Sequence, residues 1–291
     1  MFSTLVAIIA PILIVSAIGF AWGRSGRPFD SSLVTSLVTT IGTPCLIAST
    51  LTKLHPDASA LGSMALVTLL CFGAYALFGV ILLGLLKLPY HSYLPALMFP
   101  NCGNMGLPLA LFAFGETGLG LAIIFFVISA TLQFTVGVAI ASGSADLRRL
   151  LRMPLLYAVA ASLVFLATGW AVPLWLANTL DLLGGLTIPL MLVALGVSLA
   201  QLKVHSLKRA LGISVLRLVL GFLVGVGLAY AFGLGREAAG VVILQSSMPV
   251  AVFNYLFAKL YERAAEDVAG MVVVSTLISF ATLPLLLLLI L

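Results

Sequence analysis

One decapeptide, residues 99–108 with the sequence FPNCGNMGLP, places two prolines, two glycines and two asparagines within a long apolar stretch. A continuous helix does not tolerate this composition. Pro100 and Pro108 each remove a backbone donor, and Gly103 and Gly106 each add about 1 kcal/mol of helix penalty relative to alanine. Unwound backbone at membrane depth is tolerated only where protein encloses it or where it lines a wet cavity. The segment therefore predicts a helix broken at a functional site.

The chemistry that this segment offers is anion binding. Pro108 suits the first turn of a new half-helix, where its missing N–H would have no partner in any case. The free backbone amides of such a turn attract negative charge. Asn101 and Asn104 add side-chain donors beside them, so we predict a carboxylate site at this break.

A second segment, residues 245–254 with the sequence QSSMPVAVFN, has a similar pattern in milder form. It predicts a second half-helix, and we expect the two breaks to cross near the membrane midplane. The alternative, a proline kink whose polar side chains only bind neighbouring helices, stays open for this segment. The predicted substrate-binding set is Asn101, Gly103, Asn104, Gly106, Pro108, Gln245, Ser246, Ser247, Pro249 and Asn254.

Two charged residues are candidates for a functional role. Arg217 is the one strong charge well inside an apolar run, about seven residues from its basic edge. It is either a functional charge or a side chain that extends to the headgroups. Asp181, near the end of another run, could titrate in the course of the function or simply lie at the interface. The motif search finds no metal cluster and no catalytic pair, so an enzyme is not expected.

The amino-acid composition indicates whether these residues lie in a water-soluble or a membrane protein. Of 291 residues, 62% are hydrophobic and 8% are charged, with a mean hydropathy of +1.26. This excludes a water-soluble globule, since such proteins carry about 25% charged residues. The long apolar runs also differ from the alternating pattern of a transmembrane barrel. The fold class is therefore all-α integral membrane, and the net charge of +5 indicates topology rather than nucleic-acid binding.

Ten transmembrane helices are predicted from the apolar runs, numbered as spans 1 to 10 in chain order. The loops after odd-numbered spans hold eleven Lys and Arg residues and the other loops hold two. The positive-inside rule then places both termini outside, that is, periplasmic in a bacterial inner membrane. The spans cover residues 4–22, 31–52, 60–86, 93–114, 118–141, 154–170, 176–201, 210–232, 237–258 and 268–290.

The two halves of the chain resemble each other weakly. The predicted units are 1–141, a cytoplasmic linker 142–153, and 154–291. Spans 3 and 8 share residue types at an offset of 150, the ends of spans 5 and 10 match with one insertion, and Pro108 in span 4 matches Pro249 in span 9. Because each half has an odd number of spans, the halves must be inverted in the membrane, as in many secondary transporters.

The run from Pro100 to Pro108 resembles the signature of the auxin efflux carrier family in its bacterial form, and the resemblance extends over essentially the whole chain. The span 9 string and the Ser/Thr-rich last span are similar to that family as well. The resemblance implies two inverted five-helix repeats with broken crossing helices 4 and 9, a fold similar to bile-acid sodium symporters. It also implies a scaffold of spans 1, 2, 6 and 7, a transport core of spans 3–5 and 8–10, and a homodimer through spans 2 and 7. The chain lacks the long central loop of the plant carriers.

The expected function is secondary transport of small organic anions by alternating access of the elevator type. No cofactor and no nucleic-acid partner are expected. The partners are the anion, membrane lipids and a second copy of the chain. Two alternatives stay open, a symporter of organic acids coupled to Na+ or H+, and a membrane sensor that binds the same ligands without transport.

Overall fold

The computed structural model describes residues 2–54, 58–144, 148, 153–168 and 170–291. Regular structure in this part of the chain consists of helices, with three π-helical segments inserted at Val38–Gly42, Cys102–Gly106 and Gln133–Gly137. The α-helices are α1 Phe2–Arg24, α2 Ser31–Leu37, α3 Thr43–Leu54, α4 Ala58–Leu85, α5 Tyr90–Met98, α6 Leu107–Leu132, α7 Val138–Ser142, α8 Pro154–Thr168, α9 Leu174–Gly185, α10 Thr187–Gln201, α11 Leu207–Ala231, α12 Arg236–Ser246, α13 Val252–Leu260 and α14 Ala265–Ile290.

Seven helical stretches in the described residues are long and apolar enough to cross a membrane. This confirms the all-helical membrane class, while the arrangement of ten helices in inverted repeats stays a prediction. The difference in number arises at the short helices α5, α8, α12 and α13, and within the stretch Cys102–Ser142, which is helical over 41 residues. That stretch contains the second part of span 4 and all of span 5, and Gly115 interrupts it with φ 66° and ψ −159°, a conformation that glycine adopts readily.

The outer surface of the protein is apolar, as a lipid-facing surface must be. Leucine, isoleucine and phenylalanine side chains are exposed along α1, α4, α11 and α14, whereas the buried positions include many of the hydroxyl and amide side chains. This distribution is the reverse of that in a soluble protein. The polar residues of the spans are therefore held inside, where they can form a site.

Contacts between helices are most extensive within two groups, and α6 also contacts α1 and α3. In one, α1 packs along α10, and α3 packs against α8 and α9. In the other, α4, α5, α6, α11, α12 and α14 pack against one another. This grouping parallels the scaffold and core expected from the resemblance, although a rigid division between two moving bodies stays a prediction.

We predict that Ser3→Cys and Ser144→Cys label from opposite faces of sealed vesicles, because five predicted spans separate them. Both residues are described, whereas 145–147 and 149–152 of the predicted linker lie outside the described residues. An impermeant maleimide, with the labelling of the parent protein subtracted, should modify residue 3 from the periplasmic face and residue 144 from the cytoplasmic face. Labelling of both from one face would contradict the predicted topology.

Candidate functional site

Two extended breaks cross inside the protein and pair with each other. One follows α5 at residues 99–101, and the other follows α12 at residues 249–251, with Pro100 opposite Val250 in an antiparallel bridge. The Asn101 N–H donates to the Pro249 carbonyl at 2.7 Å, and the Ala251 N–H donates to the Phe99 carbonyl at 3.2 Å. The crossing thus satisfies the backbone groups that the two broken helices leave free, as membrane depth requires.

Side chains from three other elements complete this bonding. The Val250 N–H donates to Ser275 Oγ on α14 at 3.0 Å. The amide Nδ2 of Asn254 donates to the Phe99 carbonyl at 3.0 Å, and Gln133 Nε2 donates to Asn254 Oδ1 at 3.0 Å. Pro100 has no N–H, so it needs no equivalent partner. Asn254 is therefore a structural residue of the crossing rather than a free ligand.

A cavity of about 340 Å³ lies on one side of the crossing. Its walls come from α2 and the following π segment, the start of α8, α10, the end of α6 and residues 100–104. None of the described residues that line it carries a charge. Its polar lining consists of Thr35, Thr39, Thr40, Thr43, Asn101, Asn104, Ser129 and Gln133, and its aromatic lining consists of Phe126, Phe134 and Phe253.

The second half-helix of span 4 begins at Cys102, six residues before the predicted start at Pro108. The π-helical segment Cys102–Gly106 runs directly into α6, so Pro108 lies inside a continuous helix. The wide π turn already departs from the i→i−4 ladder, and it accommodates a proline whose ring would otherwise clash with the preceding turn. The predicted break is therefore present, but its register is shifted.

This shift brings the helix N-terminus to the cavity. The first turn of any helix leaves N–H groups without intrahelical acceptors. Gly103 and Asn104 lie in that turn and line the cavity. Asn101 occupies the N-cap position but makes no capping bond with its side chain. Its Nδ2 is buried and has no partner among the described residues. Asn101, Gly103 and Asn104 thus border a space with no acidic side chain among the described residues that line it.

The other predicted site residues do not line this cavity. Gly106 packs against Gln245, since a Cβ added to Gly106 would lie 2.0 Å from the Gln245 Oε1. Ser247 donates its hydroxyl to the Ile243 carbonyl within its own turn. Ser246 is fully buried behind the crossing. Pro108 is also buried, and Pro249 contributes its carbonyl to the crossing.

The two candidate charges have different surroundings. Arg217 is fully buried, which excludes the alternative that it extends to the headgroups. Asp181 forms an ion pair with Lys53 at 2.6 Å and accepts a hydrogen bond from Ser49, linking α9 to α3. Asp181 is half-buried and lies away from the cavity, which favours the interfacial interpretation.

Sequence reasoning missed one wall of the cavity. Thr35, Thr39 and Thr43 recur at intervals of four residues, the helical spacing that places side chains on one face. That stripe in an otherwise apolar span is a signal that could have identified the wall.

A separate apolar groove of about 320 Å³ lies between α3, α8 and α9.

Comparison with known proteins gives consistent results. A family model described as "Membrane transport protein" matches residues 4–146 and 138–287. An uncharacterized transporter of Methanothermobacter thermautotrophicus is 28% identical over 270 residues, which cover 88% of this chain and 88% of that protein. An uncharacterized transporter of Methanocaldococcus jannaschii is 26% identical over 201 residues, covering 65% of this chain and 64% of its own length.

Proposed function

Since the chain belongs to the membrane transport protein family, that of the auxin efflux carriers, we propose that it is a secondary transporter of small organic anions. Membership in a transporter family agrees with the expectation that the chain is not an enzyme. The substrate, its coupling and the mechanism are parts of the proposal.

The observation that supports this proposal most strongly is the cavity at the start of the half-helix that begins at Cys102 and continues into α6. A helix N-terminus carries a positive partial charge and free amides, and both favour an anion. The Nδ2 of Asn101, which has no partner among the described residues, offers a further donor for such a ligand. Partial charges hold an anion loosely enough for it to leave again, as transport requires.

The position of the cavity also supports alternating access. Its lining joins α2, α8 and α10 on one side to the crossing and α6 on the other, so a substrate would lie between the two packing groups. Thr35 and Pro154 lie near the starts of their helices, on the face that carries the predicted cytoplasmic linker. We therefore propose an inward-open state of an elevator-type carrier in the inner membrane. Its homodimer contact through spans 2 and 7 stays a prediction.

The lining narrows the class of anion. One helix N-terminus and the amide of Asn101 can compensate one carboxylate, and no lysine, arginine or histidine lines the cavity in the described residues. The rest of the wall is uncharged, with hydroxyl and amide side chains beside an aromatic part in which Phe134 and Phe253 are in edge contact at 5.2 Å between ring centroids. A second carboxylate would lose its hydration without a charged partner to compensate it. We propose a monocarboxylate with an apolar body as the substrate class.

A matched set of three ligands tests this proposal in proteoliposomes. Phenylacetate should support counterflow of labelled phenylacetate. Phenylmalonate, which has a second carboxylate on the same body, should bind at least about tenfold more weakly. Phenylacetamide should also bind weakly, because it lacks the charge that the helix N-terminus attracts.

The same assay separates the rival functions, with protein-free liposomes as the control. Binding of phenylacetate without counterflow would favour the sensor, and preferred transport of the dicarboxylate would contradict the proposed substrate class. Counterflow that requires Na+ or a proton gradient would favour the coupled symporter.

A further inference from the structure

Arg217 lies on α11 and is fully buried, yet it does not reach the cavity. Its Nη2 donates to the Ser246 carbonyl at 2.9 Å, and its guanidinium lies 4.8 Å from the centre of the Tyr75 ring. Its Nε and Nη1 have no hydrogen-bond partner among the described residues. A buried positive charge costs free energy of folding, so an arginine in such a place indicates a function.

The charge of Arg217 is not neutralised by a carboxylate in the described structure. Asp181 pairs with Lys53, Asp267 with Arg209 and Glu266 with His205. The groups that face the guanidinium are instead a carbonyl oxygen and an aromatic face, which attract cations without carrying a full negative charge. These are the kinds of partner that a bound cation has.

The carbonyl that Arg217 contacts has a particular position, since Ser246 is the last residue of α12 before the chain unwinds. The C-terminal end of a helix carries a negative partial charge and unpaired carbonyls. In transporters with broken helices, such ends and the adjacent unwound carbonyls are the groups that coordinate a coupling Na+. The guanidinium therefore lies where a coupling ion would be expected.

The other carbonyls at the crossing also have donors already. The Phe99 carbonyl accepts from the Ala251 N–H and from Asn254 Nδ2, and the Pro249 carbonyl accepts from the Asn101 N–H. These oxygens point at protein N–H groups, so coordination of Na+ by them would require those bonds to break. All nine acidic residues of the sequence lie outside the two break segments.

Glycines on α11 bring this arrangement into contact. Gly221 and Gly225 follow Arg217 at intervals of four residues, on the same helix face. A Cβ at Gly221 would lie 2.0 Å from the Ser246 oxygen, and a Cβ at Gly225 would lie 2.9 Å from the Ser246 Cβ. Helix α11 thus approaches the end of α12 closely, and this close packing holds the Arg217 guanidinium at the break.

We propose that Arg217 is a permanent internal cation of the crossing, occupying the place of a coupling Na+, and that the carrier consequently works without Na+. Transport without Na+ rests on the proposed transport function. The role of the Arg217 side chain at the crossing does not depend on it. Arg217 is a positioning residue that stabilises the end of α12 and, through it, the crossing beside the cavity.

The first test measures the protein alone by thermal unfolding in detergent. The melting temperature of the unmodified protein should be the same in sodium chloride and in choline chloride. Arg217→Ala removes the cation and leaves space, so its melting temperature should fall by several degrees and rise again with millimolar guanidinium, and in part with Na+. Arg217→Met removes the charge but fills the space, so it should not respond to either ion.

An Arg217→Ala protein that folds but responds to neither guanidinium nor Na+ would overturn the proposal. So would an unmodified protein that Na+ specifically stabilises. If Arg217→Ala cannot be purified, phenylacetate counterflow by the unmodified protein decides, because it should be equal in Na+ and in choline and a loss of at least about tenfold without Na+ would overturn the proposal. Absence of counterflow in every medium would refute the transport function, whereas the melting experiment would still decide the role of Arg217.

Discussion

Asn104→Leu should weaken binding of phenylacetate about ten- to hundredfold, equivalent to about 1.5–3 kcal/mol for a hydrogen bond to a charged group. Asn104 lines the cavity within the first turn of the half-helix, beside the free amides. Leucine has a similar volume, so the change removes a donor without opening a hole. Equilibrium binding to the purified protein measures the effect, and the melting temperature checks that the variant is folded.

Asn178→Leu is the matched control for this substitution. Asn178 is exposed on α9 and does not line the cavity, so the same change should leave binding unaltered. A folded Asn104→Leu protein with the affinity of the unmodified protein would contradict the proposed site. The account would be replaced by one centred on Arg217 if Arg217→Leu alone abolished binding in a folded protein.

Gly196→Val should destabilise the protein by more than about 3 kcal/mol, because it forces two helix backbones apart. A Cβ at Gly196 on α10 would lie 1.9 Å from the Ser16 carbonyl oxygen and 2.6 Å from the Phe20 nitrogen on α1. These are backbone atoms, which cannot move aside as the end of a side chain can. Small residues permit this kind of close helix contact in membranes. The expected result is a much lower melting temperature or loss of the monodisperse protein.

Gly212→Val provides the comparison, since a Cβ at Gly212 on α11 meets nothing within 4 Å. It makes the same chemical change in a helix and should leave the melting temperature nearly unaltered. Similar melting temperatures for the two variants would mean that α1 and α10 do not touch as closely as described.

The broken segments were predictable because their composition is incompatible with a continuous helix. Pro100 and the glycines that follow it indicated the first break, and Pro249 indicated the second. The register was not predictable. The bridge pairs Pro100 with Val250, an offset of 150 that agrees with spans 3 and 8, whereas the match of Pro108 to Pro249 implied 141. A π-helical segment precedes Pro108 and joins it to the half-helix. Local helix propensities do not predict such an insertion.

The tertiary fold was also needed to tell which predicted site residues line the cavity and which only stabilise the crossing. Asn104 and Asn254 are both asparagines after a break, but one lines the cavity and the other bonds to the Phe99 carbonyl. Which role each has depends on the neighbouring helices. Similarly, the depth of Arg217 along its helix could be counted from the sequence, but the face on which it lies could not.

We propose that a carboxylate binds at the start of the half-helix that begins at Cys102. Anomalous scattering from crystals grown with 4-iodophenylacetate tests it most directly. The account predicts an iodine peak among the aromatic residues Phe126, Phe134 and Phe253, with the carboxylate within hydrogen-bond distance of the Gly103 and Asn104 amides. An iodine peak beside Arg217 or in the groove between α3, α8 and α9, with the cavity empty, would contradict it.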